Sequence, residues 1–243
     1  MLSRWTTHGR GGPVTLVVHG LGATEGEARI PSSGLPGTRV VVTLPGHGKA
    51  PDAPPGYWNY ATIAADVLAI ADEVGATRAV GVSLGAGALT RIAAEHPDRF
   101  ERLALLLPAA LDRPRDVAAT WSFERLADAV GDPEELRKLV AADLPAGAEV
   151  GDYAEQRAAA LMRLEDALRE LPEQAPLADA APLGSVGSDV LVVGATDDPL
   201  HPAEVAKAVA AAFARARLEI FPSPAPMLTH RRELRGLLVD FLG

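Results

Sequence analysis

Residues 77–97 read TRAVGVSLGAGALTRIAAEHP, and their order decides how the chain is built. The apolar run TRAVGV (77–82) meets Ser83 with no spacer, and a helix-forming segment follows as far as His96 and Pro97. The order is strand, sharp turn, helix. Glycine is needed where backbone bends into conformations closed to other residues or comes close to another group, so Gly81, Gly85 and Gly87 predict a tight turn with Ser83 at its tip.

Working outward, the same kind of run recurs. VTLVVHG (14–20), TRVVVTL (38–44), RLALLL (102–107), DVLVVGA (189–195) and LEIF (218–221) read as strands. Most are continuous rather than alternating, as in a parallel sheet covered on both faces. Helical patterns lie between them. Ile63, Val67, Ile70 and Val74 follow a cap at Asn59 and precede a stop at Gly75, and Leu234, Leu237, Leu238 and Phe241 repeat the spacing near the end. This alternation predicts right-handed crossovers and a doubly wound, mostly parallel α/β sheet, with ligands at the carboxyl ends of the strands.

One stretch breaks the rhythm. Residues 112–182 contain no strand pattern but three helical ones: near Ser122 to Val130, opened by Asp132 and Pro133, and carrying Leu161, Leu164, Leu168 and Leu171. The chain therefore divides into a core, 1–111 with 183–243, and a helical insert. The insert holds 16 acidic and 8 basic residues, a net −8 against −9 for the whole chain. Most of this charge belongs on solvated helix faces.

Composition sets the outer limits. At 243 residues with 48% apolar content, the chain can bury one sizeable core. Without cysteine it has neither disulfides nor a thiolate metal site. MLSRWTTHGRGGP at the start has no apolar leader core, and no run approaches the roughly 18 apolar residues of a membrane span, so a soluble cytoplasmic protein is expected. The acidic balance argues against nucleic acid or an anionic membrane as partner. No histidine pair has metal-ligand spacing with a third ligand, and nothing calls for a cofactor.

A serine hydroxyl attacks poorly until a base takes its proton and an acid orients that base. DVLVVGATDDPLHP ends a strand in Asp197 and Asp198, and His230 stands in a loop before the last helix, stiffened by Pro222, Pro224 and Pro226. These supply the acid and the base in the chain order Ser, Asp, His. The Leu84 N–H, at a helix start, can meet an oxyanion. His19 and His47 read as loop braces. His96 and His201, beside prolines at helix boundaries, read as capping or surface residues, and His8 as part of a mobile terminus.

HGLG (19–22), LPGHG (44–48), GVSLG (81–85), DDPLHP (197–202) and the late histidine together resemble the α/β-hydrolases over most of the chain. The resemblance implies that the insert is a cap after the sixth family strand. It further implies that Leu21 gives a second oxyanion N–H beside Leu84, and that the D-P-x-x-P pattern favours Asp198 as the acid, with Asp197 and Asp112 as alternatives. Only about a dozen residues precede the first HG strand, so one or both early antiparallel strands of the family are expected to be missing.

The implied chemistry is acyl transfer to water: Ser83 attacks a carbonyl, His230 takes its proton and Asp198 steadies the imidazole. Trp121, Phe123, Leu126, Tyr153 and Met162, with Tyr57 and Trp58, are candidates to line a pocket. The acidic insert favours a neutral, apolar ester or lactone over an anionic thioester. An acyltransferase, thioesterase or cyclase with the same triad, and a non-catalytic small-molecule receptor on the same fold, remain as alternatives.

Overall fold

The computed structural model describes residues 3–144 and 151–243. Its strands are β1 (Arg4–Gly9), β2 (Val14–Val18), β3 (Thr38–Thr43), β4 (Arg78–Val82), β5 (Arg102–Leu106), β6 (Asp189–Ala195) and β7 (Ala216–Phe221). They form one sheet in the order β1-β3-β2-β4-β5-β6-β7. Only β1 runs antiparallel, pairing Arg4 with Thr43 through Gly9 with Thr38. One early antiparallel strand is therefore present, and His8 sits in it opposite Arg39. RWTTHG escapes the sequence reading because the strand lies at the sheet edge: only Trp5 and His8 are half-buried, and no apolar run forms.

The helices are α1 (Glu25–Arg29), α2 (Tyr60–Glu73), α3 (Leu84–Glu95), α4 (Val117–Asp128), α5 (Pro133–Ala142), α6 (Tyr153–Leu161), α7 (Glu165–Glu170), α8 (Ala203–Ala212), α9 (Pro226–Thr229) and α10 (Arg231–Leu242). Local signals behave as their chemistry requires. The Asn59 side chain accepts from Thr62 N at 2.8 Å to cap α2, and Gly75 follows that helix at φ +64°.

Strand side chains alternate between two apolar layers, which is why the runs read as continuous. Leu16, Val18, Val40, Val42, Leu103, Leu105, Val190 and Val192 face the layer that holds α2, α3 and α8. Val17, Val41, Ala104, Leu106, Leu191 and Val193 face Ala28 of α1 and Leu234, Leu238 and Leu242 of α10. Burying a leucine contributes about 2 kcal/mol, so both faces must be covered.

Between β5 and β6 the described residues form four α-helices rather than three, followed by a short 3-10 helix at Ala181–Ser185. The leucine stripe expected to make one helix is broken between α6 and α7, where Arg163 leaves the helical path. Its guanidinium reaches Asp52 at 2.7 Å, Gly48 O at 3.0 Å and Ala50 O at 2.9 Å. Leu161, Leu164, Leu168 and Leu171 are nevertheless all buried. Among the described residues no helix is long and apolar enough to cross a membrane.

Chain direction across the sheet reverses between β2 and β4. From β2 the chain steps outward to β3, whereas from β4 it steps the other way through β5, β6 and β7. In such sheets the crevice above the reversal is where ligands bind. The loops after β2 and β4 carry His19-Gly20 and Ser83 to that point.

Candidate active site

Ser83 joins β4 to α3 at φ 51° and ψ −108°, a conformation that costs an ordinary residue about 1–3 kcal/mol. Its surroundings have no room for larger neighbours. A Cβ on Gly81 would lie 2.5 Å from the Gly85 carbonyl group, and one on Gly85 would strike Val18 O. Glycine at both positions lets α3 start directly beneath the serine, whose own N–H is anchored to Leu106 O at 2.9 Å.

The imidazole beside the serine belongs to His201. Its Nε2 lies 2.8 Å from Ser83 Oγ, and its Nδ1 lies 2.7 Å from Asp198 Oδ2. His201 and Asp198 are mostly enclosed, with side chains 16% and 11% exposed. The other Asp198 oxygen accepts from Leu200 N at 2.9 Å and His201 N at 3.2 Å. Burial pushes the carboxyl up, but His201 and these two amides outweigh it and hold the carboxyl below its ordinary value. An ionised carboxylate accepts from Nδ1–H and leaves Nε2 as acceptor for the serine hydroxyl.

His230, expected as the base, is not at the serine. Its Nδ1 faces Thr229 Oγ1 at 2.8 Å, and its ring rests 5.5 Å from that of Phe221. The physical reason is α9. This four-residue helix occupies the loop after β7, so the segment presents Pro224, Ala225, Met227 and Leu228 to the cavity and turns His230 away to the start of α10. The reading of His201 as a capping or surface residue is corrected by the same geometry. A signal for it is present in the sequence: Asp-Pro opens a tight turn, and DPLH brings the side chain at the fourth position back over the first.

The other candidates fall as follows. Asp197 is exposed at φ +58°, beside Asp198 in the turn. Asp112 is exposed and lines a separate groove of about 690 Å³ between the start of the insert and α8. That groove is larger than the space at Ser83 but contains none of Ser83, Asp198 or His201. Leu84 opens α3, where first-turn N–H groups have no intrahelical acceptor, and Leu21 lines the cavity with Ser83.

His19 and His47 brace the loops, as expected. Leu44 N donates to His19 Nε2 at 3.1 Å, so Nδ1 carries the proton that goes to Gly20 O at 2.8 Å. Gly22 N donates to His47 Nε2 at 2.8 Å, and His47 Nδ1–H goes to Pro45 O at 2.9 Å. The rings lie 4.5 Å apart. Burial lowers both pKa values; for His47, already well below the ordinary value, the neighbouring His19 lowers it further.

The cavity above Ser83 measures about 220 Å³. Leu126, Val140, Leu144, Tyr153 and Arg157 enter it from the insert, against His19, Leu21 and Val82 from the core. Of the aromatic candidates only Tyr153 contributes to the wall. Trp121 is 58% exposed, and Phe123, Tyr57 and Trp58 belong to the core, where Met162 also packs. Among the described residues no group of His, Cys, Asp and Glu is arranged to hold a metal ion.

Known proteins share this architecture. In fold the chain is similar to an esterase from Exiguobacterium antarcticum, at 21% identity over 99% of this chain and 95% of that one, with a TM-score of 0.78. It is similar to an enol-lactonase from Burkholderia xenovorans at 20% identity, covering 99% and 96% with a TM-score of 0.76. A meta-cleavage product hydrolase from Pseudomonas fluorescens matches at 18% identity, covering 98% and 93% with a TM-score of 0.79. The sequence profile of the alpha/beta hydrolase family matches residues 15–235, nearly the whole chain, and the protein belongs to that family.

Proposed function

We propose that the protein is a serine hydrolase that cleaves a small, uncharged carboxylic ester or lactone through an acyl-enzyme. The observation that carries this reading is the unbroken chain from Ser83 Oγ to His201 to Asp198, at 2.8 and 2.7 Å. Ser83 attacks the carbonyl carbon while its proton passes to His201 Nε2, and Asp198 stabilises the imidazolium. The carbonyl oxygen becomes an oxyanion held by the Leu21 and Leu84 N–H groups, each worth about 3 kcal/mol. As the C–O bond breaks, His201 returns the proton to the departing alkoxide. Water then attacks the acyl-enzyme, giving a proton to His201 and regenerating Ser83.

Two features favour a small neutral substrate. The cavity of about 220 Å³ lies below the roughly 300–1,000 Å³ of pockets that hold drug-sized ligands, which suits an acyl group of a few carbons. Its charged wall residues are Glu27, Asp143 and Asp198 against Arg157, besides the histidines, so an anionic acyl group meets repulsion. Helices α4–α7 act in this reading as a cap that closes the acyl site. Excluding water from the site also strengthens the oxyanion contacts.

The test is hydrolysis of p-nitrophenyl esters from acetate to decanoate, together with labelling by a fluorophosphonate. Wild type is expected to turn over the short esters and to be labelled at Ser83, and Ser83→Ala to lose both. Labelling without turnover of any ester or lactone would replace hydrolysis with acyl transfer. Absence of labelling would remove the enzymatic reading.

A further inference from the structure

We infer that Arg157, which belongs to α6 of the insert, is a positioning residue for the Leu21 oxyanion donor and makes catalytic competence depend on the insert being seated. The inference rests on the serine-hydrolase reading above and adds a component that no motif in the chain marks.

Two consecutive peptide groups fix the direction of that donor. In the first, Gly20 O is fixed by His19 Nδ1–H at 2.8 Å and by Ala23 N at 3.3 Å, so the Leu21 N–H on the opposite side of that plane is aimed away from them. This part of the loop is pressed against the nucleophile: a Cβ on Gly20 would lie 3.3 Å from Ser83 Cβ. In the second peptide group, Gly22 N is tied to His47 Nε2 at 2.8 Å, and Leu21 O, at the other end of the same plane, accepts from Arg157 Nη2 at 3.4 Å. Arg157 Nη1 also donates to Gly22 O at 3.3 Å. With both planes held, the Leu21 torsions between them are held as well.

Three of these anchors, Ala23, His19 and His47, come from the core. Arg157 alone comes from the insert. Its guanidinium is oriented by Glu27, whose Oε2 lies 3.4 Å from Nη1 and also accepts from Thr24 N at 2.9 Å in the capping box of α1. Glu27 Oε1 accepts from Tyr153 OH at 2.8 Å, from the first residue of α6. One turn beyond Arg157, Leu161 packs so closely on Gly22, itself at φ +70°, that a Cβ there would lie 2.8 Å from Leu161 Cδ2. The planar fork of arginine suits the task, because it can serve two adjacent carbonyls and a carboxylate at once. Preorganised donors act strongly only when their direction is fixed before charge develops. Displacing α6 therefore loosens the donor without touching Ser83, Asp198 or His201.

Arg163 provides a matched control. It too extends from the insert to core carbonyls, Gly48 O and Ala50 O, with an acidic partner in Asp52, but none of its contacts reaches residues 20–22. The experiment compares Arg157→Ala, Arg157→Lys and Arg163→Ala in full-length protein. It follows kcat and KM on a short p-nitrophenyl ester, the rate of Ser83 phosphonylation by a fluorophosphonate, and Tm. Arg157→Ala should lower kcat and the phosphonylation rate by roughly ten- to a hundredfold with KM changed less than about threefold, since a donor used only in the transition state is lost. Arg157→Lys should recover part of that loss, and methylguanidinium should partly rescue the alanine variant. Arg163→Ala should lower Tm alone. If Arg157→Ala keeps its kcat, or loses it by the same factor as Arg163→Ala, the positioning role is wrong and the hydrolase reading survives. If wild type neither turns over ester nor reacts with the probe, the hydrolase reading fails and takes this inference with it.

Discussion

Asp198 and His201 stand three residues apart in one turn, and the carboxylate of the first meets Nδ1 of the second at 2.7 Å. Carboxylate and imidazole are thus carried by a single loop after β6. The backbone of that turn orients both: Asp198 Oδ1 holds the Leu200 and His201 amides while Oδ2 holds the ring. Arg115 Nη1 supports the turn from the insert by donating to Leu200 O at 3.2 Å. Only one further loop, the one bearing Ser83, has to be docked to complete the hydrogen-bonded chain.

This arrangement separates the two histidines experimentally. His201→Ala should reduce kcat/KM on short esters by about a thousandfold or more, because the base is lost while Ser83 stays in place. His230→Ala should leave kcat/KM within about threefold of wild type, since its bond is to Thr229 and its ring rests on Phe221. Steady-state kinetics of the two variants decide between them, and the opposite ranking would restore His230 as the base.

Asp198→Asn is the second test. The amide retains an oxygen for the Leu200 and His201 amides, so the turn survives, but its NH₂ favours the wrong tautomer of His201. A loss of about 10³ to 10⁴ in kcat is expected with little change in far-UV circular dichroism. The variant should also respond differently to acid. Because Asp198 is held below its ordinary value of 3.8, its contribution to stability is present above that value and is lost as pH falls through the lowered one. The asparagine side chain does not titrate, so the difference in Tm between variant and wild type should shrink on acidification through that window.

Five of the six parallel strands are legible in the sequence because each is apolar on both faces, and the edge strand β7 because Leu218, Ile220 and Phe221 outweigh the charged pair Arg217 and Glu219. Ser83 is legible because Gly81 and Gly85 have no substitute where backbone meets backbone. His201 is not, because a histidine between Leu200 and Pro202 at a helix start has an ordinary use there, and its pairing with Ser83 spans 118 positions. Sequence order offers His230 the same place equally well. What excludes it is α9, a helix too short to leave a periodic pattern. The break between α6 and α7 is hidden for a related reason: all four leucines of the stripe are buried, so periodicity continues across a turn that Arg163 makes to reach Asp52, Gly48 and Ala50.

The buried pair His19 and His47 predicts a sensitivity to mild acid. Both are neutral acceptors for backbone amides, and burial holds their pKa values below the ordinary 6.5. Below that value the unfolded chain takes up protons that the native state refuses, so stability is complete above about pH 6.5 and declines as pH falls. Thermal unfolding between pH 8 and 5 should show Tm decreasing steadily in the lower half of that range. His47→Gln, which keeps an acceptor for Gly22 N, should be less stable than wild type at pH 8 by about 1–2 kcal/mol, yet show a shallower decline. A parallel decline in both proteins would assign the acid sensitivity to other groups.

Chain-length selectivity follows from the walls of the cavity. Leu126 from α4 and Met227 from α9 bound the space above Ser83, and neither belongs to the hydrogen-bonded chain. Leu126→Ala should open room where the acyl chain ends and move the best substrate about two carbons longer, at a stability cost of about 1–3 kcal/mol for a half-buried leucine. The gain should appear in kcat/KM for the longer esters, because an added methylene that finds apolar contact contributes about 1 kcal/mol or somewhat more, while acetate is turned over no faster. An unchanged optimum in Leu126→Ala but a shift in Met227→Ala would run the acyl group along α9 rather than under the insert. If neither variant moves it, the chain of the substrate leaves the cavity altogether, and selectivity is set where the alcohol rather than the acyl group is held.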